Sequence, residues 1–385
     1  MKLRYFDYNA TTPLAPAART AWLQAQEAHW FNPSSPYRQA AAVRVRYEAA
    51  RESLAALLGL KDSAERVVFT SGATEANNMV LRHWARQLPS DARLGVNPTE
   101  HPSVMEAATA AFGERVCLLA LLPDGRVDLE ALDAQLQTGG LAALSVMAAN
   151  NETGVIQPWQ AIAQLCQRAQ VPYHCDASQW LGKMPLSGLA DCSYVSGCAH
   201  KFGGPKGVGF LLLPQAAQDC KLLYGGAQEG GQRAGTEDVA GVLAMLAALE
   251  ASTPCATPVL RDAFIEKVCS GIPNTRVVGV GADRLWNTVS LIMPQFQSVR
   301  WIRLLEKEGF LVSACSACAT GKSTGSPVLR ALGIGAAAAG RALRISSGAE
   351  TTAEDWDALA EAICRSYVRM RSEASASSSQ VITID

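Results

Sequence analysis

Short, wholly apolar runs separated by helix-forming stretches constrain this chain most. Residues 67–70, 94–96, 116–122, 141–147, 171–175, 192–195 and 208–213 are apolar almost throughout rather than alternating. Strands of that kind must be covered on both faces, and helical stretches, one opening within 70–78 and running to about 87 and another over 159–169, fall between several of them. The alternation predicts an α/β fold, a mostly parallel seven-stranded sheet with helices on both faces. The last two runs are joined by a short connection, so that pair is expected to be antiparallel. Residues 37–58 read as a helix with Leu54, Leu57 and Leu58 on one side and Gly59 closing it.

At 385 residues the chain exceeds one small core. Its composition breaks around residues 254–258, which places a domain boundary there. The expected division is a large domain over 13–252 and a smaller α+β domain built from 1–12 and 253–372. The smaller one carries a loop of small residues at about 312–326. A final helix is expected over 353–370, followed by a disordered serine- and alanine-rich tail, 373–385. The net charge of −1 lacks the basic excess of a nucleic-acid binder. No apolar run reaches the ~18–20 residues of a membrane span, and Asp7 comes too early for a secretory signal. The expectation is a cytoplasmic protein whose 11 cysteines are reduced thiols. Cys315 and Cys318 form one Cys-x-x-Cys pair, a weak zinc signal without a second pair, so no metal is expected.

Four constellations carry chemistry. Ser71-Gly72-Ala73-Thr74 follows an apolar run and opens a helix, where N–H groups and the helix dipole favour a phosphate. Asp176 ends another run, in His174-Cys175-Asp176-Ala177-Ser178-Gln179, and can pair with a cationic ring nitrogen. Glu100-His101-Pro102 follows the 94–96 run, placing a histidine able to stack on a ring or carry protons. Between the last two runs lies Ser196-Gly197-Cys198-Ala199-His200-Lys201-Phe202-Gly203-Gly204-Pro205-Lys206-Gly207. A lysine desolvated there has the nucleophilic amine of a Schiff-base residue. Taken singly, these are also what a helix cap, a capping aspartate or a hairpin looks like. Taken together, a phosphate cradle, a ring-nitrogen acid, a histidine and an aldehyde-binding lysine make a pyridoxal 5'-phosphate site. Asn150-Asn151-Glu152-Thr153-Gly154, after the 141–147 run, adds polar groups at the same kind of strand end.

At this point the chain resembles a cysteine desulfurase of the class V, fold-type I aminotransferase group, over about residues 5–365. The resemblance rests on Tyr5-Phe6-Asp7-Tyr8-Asn9-Ala10-Thr11-Thr12-Pro13, Asn32-Pro33-Ser34-Ser35, Thr70-Ser71-Gly72-Ala73-Thr74-Glu75-Ala76-Asn77-Asn78, Arg233-Ala234-Gly235-Thr236, Ser316-Ala317-Cys318 and Leu343-Arg344-Ile345-Ser346, beside the stretches already quoted. It implies that Lys201 binds the pyridoxal phosphate, Asp176 keeps the ring nitrogen protonated, and Gln179 reaches the ring hydroxyl. His101 would stack on the ring and move protons. Ala73, Thr74, His200 and the residue at 198 would hold the phosphate. Thr236 would reach the phosphate of a second subunit, which implies a homodimer. Asn151, Arg344 and Asn32 would bind the substrate, L-cysteine, and Cys318 would take its sulfur as a persulfide, leaving L-alanine.

The chain departs from the family pattern in places. Cys198 stands for a serine, Cys315 for a glycine, Pro36-Tyr37 for a histidine, and Gly230 and Asp238 for an arginine and an asparagine. The spacing after Cys318 resembles the branch that hands sulfur directly to an acceptor protein, for iron–sulfur clusters, thiolated tRNA or a carrier. A selenocysteine lyase or another class V lyase or aminotransferase is the nearest alternative. A sulfur carrier or scaffold that kept the fold, and a zinc module on Cys315 and Cys318, are alternatives of other classes.

Overall fold

A computed structural model describes residues 3–60, 66–253, 257–315 and 325–378. The chain divides into two compact units, a larger one from residues 10–151 and 155–255, and a smaller one from residues 1–9, 152–154 and 256–385.

The larger unit holds a seven-stranded sheet in the order Val67–Thr70, Gly209–Leu212, Tyr194–Cys198, Tyr173–Asp176, Ala143–Ser145, Leu94–Val96, Val116–Leu118. Only Gly209–Leu212 runs against its neighbours. Every other pairing is parallel. The lone reversal is the expected consequence of the short connection from Cys198. The parallel strands therefore end at one edge, and the segments that follow them carry Ser71–Thr74, His101, Asn151, Asp176 and Lys201.

The helix that opens at this edge, Ala73–Gln87, buries Ala73, Ala76, Asn77, Val80, Leu81 and Trp84, an i, i+3, i+4 stripe. The stripe packs on Val68, Leu94, Val96, Ala143, Tyr194 and Leu211 of the sheet. Asn77 is the polar member of that stripe and is fully buried.

Two strand ends meet at Gly209, which pairs with Thr70 on one side and Cys198 on the other. A Cβ at 209 would lie 2.5 Å from the Gly197 carbonyl oxygen and 2.5 Å from the Gly72 Cα, both backbone atoms that cannot rotate away. The bare backbone here brings the start of the Ala73–Gln87 helix against the segment leading to Lys201. A second anchor is the Glu229 carboxylate, which accepts from Arg51 Nη1 (2.7 Å) and Nη2 (2.9 Å), Tyr47 Oη (2.7 Å) and the Phe69 N–H (2.7 Å). It fixes the loop before the Val239–Ala251 helix to the first strand.

In the smaller unit an antiparallel sheet runs Ser313–Ala314, Ala342–Ser346, Thr288–Ile292, Arg276–Val277, and Arg4–Tyr5 pairs in parallel with Phe310–Leu311. Phe6, Leu291, Trp301, Leu343, Ile345, Trp356 and Leu359 form its core, with the helices Val259–Gly271, Ser298–Lys307 and Ala353–Ser378 contributing one face each. The last helix extends past residue 370, where the sequence suggested it ends, and residues 373–378 are helical rather than part of a disordered tail. Glu373 is held there by Arg300 (2.8 Å) and by Arg369 one turn earlier (2.9 Å), so ion pairs continue the helix where apolar periodicity has faded.

Gly209→Ala should cost about 2–4 kcal/mol in urea unfolding, because the new methyl meets backbone. Gly335→Ala, where a Cβ has open space, should be close to neutral and serves as the control.

Candidate active site

The site is built on the carboxyl edge of the larger unit's sheet, where α/β folds place their ligands. Lys201 follows the Tyr194–Cys198 strand in a short turn. Thr12 holds that turn from both ends: its N–H donates to the His200 carbonyl (2.9 Å), and its hydroxyl accepts the Gly203 N–H (2.8 Å). Lys201 Nζ donates to the Ala10 carbonyl at 2.8 Å. His200 Nδ1 lies 3.2 Å from the Thr11 hydroxyl, and burial, with the charges of Lys201 and Lys206, holds its pKa down at about 4. The opening segment 10–15 thus clasps the lysine-bearing turn, a role its sequence did not announce.

Asp176 closes the next strand. Its Oδ1 accepts the Ser178 N–H (2.9 Å) and its Oδ2 accepts Asn77 Nδ2 (3.0 Å), so both oxygens are oriented as hydrogen-bond acceptors. Glu100 is buried beside it. Burial first, and the Asp176 charge second, push the Glu100 carboxyl well above the usual carboxylate range, against the Met147 N–H bond. That shift is in the direction that favours the protonated Glu100 carboxyl. His101 caps the Pro102–Phe112 helix, its Nδ1 accepting the Ser103 N–H at 3.1 Å. Burial lowers its pKa, Asp176 opposes, and the Lys201 ammonium lowers it further. Gln179 accepts from Lys183 Nζ.

The Ala73–Gln87 helix begins at Gly72, with φ of 148°, a conformation that favours glycine. Its first backbone bond is from the Ala76 N–H to the Gly72 carbonyl, so the N–H groups of residues 73–75 have no partner within the helix. Glu75 reaches back to the Ser71 N–H (2.7 Å) and pairs with Arg233 (3.0 Å). Burial raises its pKa, but these bonds outweigh it and hold the carboxyl below its ordinary value. That pair ties the loop carrying the exposed Thr236 to the helix start. Burial pushes the Cys198 thiol up to about 11 despite the Lys201 charge, so it faces the Ala73 N–H as a thiol. Beside it the Ser178 hydroxyl is buried with no nitrogen or oxygen partner among the described residues. A Cβ at Gly72 or Gly207 would meet nothing within 4 Å. A buried hydroxyl with no nitrogen or oxygen partner, N–H groups not used within the helix and open space at Gly72 fit a phosphate. Asp176 and Lys201 at the same edge fit a ring nitrogen and an aldehyde. The residues present fit pyridoxal phosphate.

Other sequence candidates fall elsewhere. Asn32 is exposed and its Oδ1 accepts the Ser34 N–H (2.9 Å), so it stabilises its own turn. Asn151 follows the buried Asn150, whose amide donates to the Thr99 carbonyl at 2.9 Å. In the smaller unit Arg344 is buried and Nη2 donates to Asp7 Oδ1 at 2.7 Å. Cys315 is buried with Sγ 3.2 Å from the Ser290 hydroxyl, and burial, aided by Glu152, pushes its thiol up to about 12. Glu152 itself accepts from the Ser326 hydroxyl, and burial lifts its pKa to about 7, opposed by Ser326 and Arg344. Cys318 lies outside the described residues, as does most of the expected cysteine loop. Sequence reasoning missed Asn77, Ser103, Ser178 and Thr12 as site-builders. A polar residue at a core position of the 73–87 helix was the visible signal for Asn77.

A lysine-bearing turn, an acid and a phosphate-type helix start on one edge of this sheet are features of the fold-type I transferases. The chain belongs to the class-V aminotransferase family, whose model matches residues 4–359. Proteins similar to it include cysteine desulfurases. That of Cereibacter sphaeroides is 36% identical over 371 residues, spanning 94% of this chain and 95% of that protein. The IscS-like cysteine desulfurase of Mycobacterium tuberculosis is 34% identical, spanning 97% and 98%. Among solved structures, a NifS-like protein superposes with a TM-score of 0.84 at 29% identity over 95% of this chain and 99% of that one. SspA in complex with cysteine gives 0.78 at 26% identity over 89% and 98%. No helix among the described residues is long and apolar enough to cross a membrane.

The raised Glu152 pKa has a stability consequence with a definite sign. Between the ordinary carboxylate range and about 7 the folded state binds the proton that the unfolded state has lost, so stability falls as pH rises through that window. Glu152→Gln should therefore be more stable than the parent at pH 8, by roughly 3 kcal/mol, and close to it below about pH 4.5. Urea unfolding at the two pH values measures this.

Proposed function

We propose that this chain is a pyridoxal-phosphate-dependent cysteine desulfurase that passes sulfur through Cys318. The observation that carries the reading is the gathering of Lys201, Asp176, His101 and the Ala73–Gln87 helix start on one sheet edge, with the Ser178 hydroxyl buried there without a nitrogen or oxygen partner. Lys201 would hold the aldehyde carbon, and Asp176 the ring N–H. Residues 73–75, Ser178 and His200 would hold the phosphate, and Thr236 that of a second subunit in a homodimer. Bound there, pyridoxal phosphate supplies an electron sink that weakens bonds at the substrate's α- and β-carbons.

The protein's own groups do the rest. Asn151 and Arg344 take the substrate carboxylate, for which a guanidinium is suited. Asp7 holds Arg344 by one nitrogen. His101 handles the proton at Nε2, since Nδ1 is committed to Ser103. The balance of the reaction is a cysteine thiol plus L-cysteine giving a persulfide plus L-alanine. The substrate C–S bond breaks, an S–S bond forms on Cys318, and no outside oxidant is needed. The nucleophile must be a thiolate, which Cys315, kept as a buried thiol, is not. The persulfide sulfur then goes to an acceptor protein. That part of the reading rests on the family alone.

Alanine and sulfide release from L-cysteine, with a reductant present, tests the assignment. Cys318→Ala should lose at least about 100-fold, and Lys201→Ala should lose both activity and the visible absorbance of bound cofactor. Cys315→Ala should stay within about threefold of the parent. Full activity in Cys318→Ala would overturn the sulfur-transfer role.

A further inference from the structure

A chain of hydrogen bonds with fixed directions runs beneath the site. A backbone N–H can only donate, so the Ser103 N–H at 3.1 Å makes His101 Nδ1 an acceptor. The Ser103 hydroxyl, 2.8 Å from the same nitrogen, must then donate to it as well. That hydroxyl in turn accepts from Asn77 Nδ2 at 2.9 Å, and the same amide nitrogen gives its second hydrogen to Asp176 Oδ2 at 3.0 Å. A carboxylate on one side and a spent hydroxyl on the other fix which end of the Asn77 amide is nitrogen. The Ser196 hydroxyl donates to Asn77 Oδ1 at 2.5 Å and so must accept from His174 Nε2 at 3.0 Å. His174 Nδ1 then accepts from the Ser145 hydroxyl at 2.9 Å. His174 is fully buried, and burial holds its pKa down at about 4 despite Asp176, which agrees with the neutral ring this order requires. Every proton from Ser145 to His101 has one place to go.

We propose that Ser103, oriented by Asn77, is a positioning residue that sets His101 with its proton on Nε2, and that Asn77 ties this setting to Asp176. Asn77 spends both amide hydrogens at once, one on Asp176, which would hold the cofactor's ring nitrogen, and one on the Ser103 hydroxyl. His101 thereby enters the reaction as a neutral Nε2–H donor. The charged groups that act on it are Asp176 and Lys201, and Glu100, whose carboxyl burial pushes up in pKa, precedes it in the chain. The inference deepens the desulfurase reading, because it treats His101 as the proton-handling residue of that site.

The test is nitrogen NMR of protein labelled with 15N-histidine, prepared with and without pyridoxal phosphate, with His101 assigned through His101→Gln. In the parent, Nδ1 should give the signal of an unprotonated, hydrogen-bonded nitrogen and Nε2 that of an N–H. Ser103→Ala removes one of two bonds that favour the neutral ring. The His101 titration midpoint should rise by about 0.5–1 unit, and the Nδ1 signal should move toward that of an unbonded nitrogen. Ser103→Thr, which keeps the hydroxyl, should restore both. Asn77→Ala should shift His101 in the same direction as Ser103→Ala. The low-pH limb of kcat/KM should move with the midpoint. An unchanged midpoint and Nδ1 signal in Ser103→Ala would overturn the proposal, as would a protonated Nδ1 in the parent or a threonine variant that behaves like alanine. Asn77→Ala leaving His101 unmoved would remove Asn77 from it. Ser103 is only half-buried, so its variants remain readable if Asn77→Ala does not fold. A parent that shows the expected tautomer but releases no sulfide would sink the desulfurase reading and leave this one standing.

Discussion

The larger unit turns on a place where three backbones come closer than side chains allow. At Gly209 the strand that runs against the sheet passes within van der Waals reach of Gly72 and Gly197. One neighbour leads into the phosphate-type helix start, and the other into His200 and Lys201. Ordinary strands are about 4.8 Å apart in the hydrogen-bonding direction, with side chains above and below. Leaving out the side chain at 209 lets bare backbone set the distance between an anion-binding helix end and an amine. That distance then belongs to the backbone, the least deformable part of the fold. Thr12 and the Glu229 cluster hold the flanking loops to the same frame from opposite sides.

The larger unit holds its site carboxylate by directed hydrogen bonds. Asp176 accepts from the Ser178 N–H and Asn77, and burial pushes the pKa of its neighbour Glu100 upward. His101, His174 and His200 all lie below their ordinary pKa, each chiefly because burial disfavours the charged ring. Neutral rings are directional: each has one nitrogen that gives and one that takes. A buried polar chain made of such groups has a single arrangement of protons and leaves no member to choose a partner at random. The smaller unit treats its own buried carboxyl differently. Glu152 sits near neutrality in pKa, beside a thiol that burial keeps protonated.

How much of this was legible in the sequence differs by kind of information. The parallel sheet was legible because each strand is apolar on both faces, and the lone reversed strand because its connection is too short for a crossover. A helix opening after the 71–74 turn and ending near 87 was legible as well. Lys201, Asp176, His101 and the 71–74 turn could be named because their chemistry depends on position at strand ends, and strand ends can be counted. Ser103 could not. A serine two residues after a histidine carries no pattern, and its role exists only through Asn77, 26 residues earlier. Thr12 was likewise invisible, since its partners lie near 200. The continuation of the last helix to Ser378 was hidden because its hold is electrostatic, between Glu373 and an arginine 73 residues away. Apolar periodicity does not register such a pair.

The smaller unit draws on both the first and the last described stretches of the chain. Phe6 is fully buried there, its ring 5.1 Å from that of Trp356, and Arg4–Tyr5 completes a pairing with Phe310–Leu311. Proteins leave the ribosome in order, at roughly 5–20 residues per second. Residues 4–9 therefore emerge roughly 20–70 s before the helix that covers Phe6, and the larger unit, which ends at residue 255, completes its sequence within that interval, before the smaller one can close its core. For a cell making this protein, the exposed time of one short aromatic segment is set by translation speed, not by folding speed. A nascent chain stalled anywhere before about residue 356 would display Phe6 to whatever binds apolar surfaces.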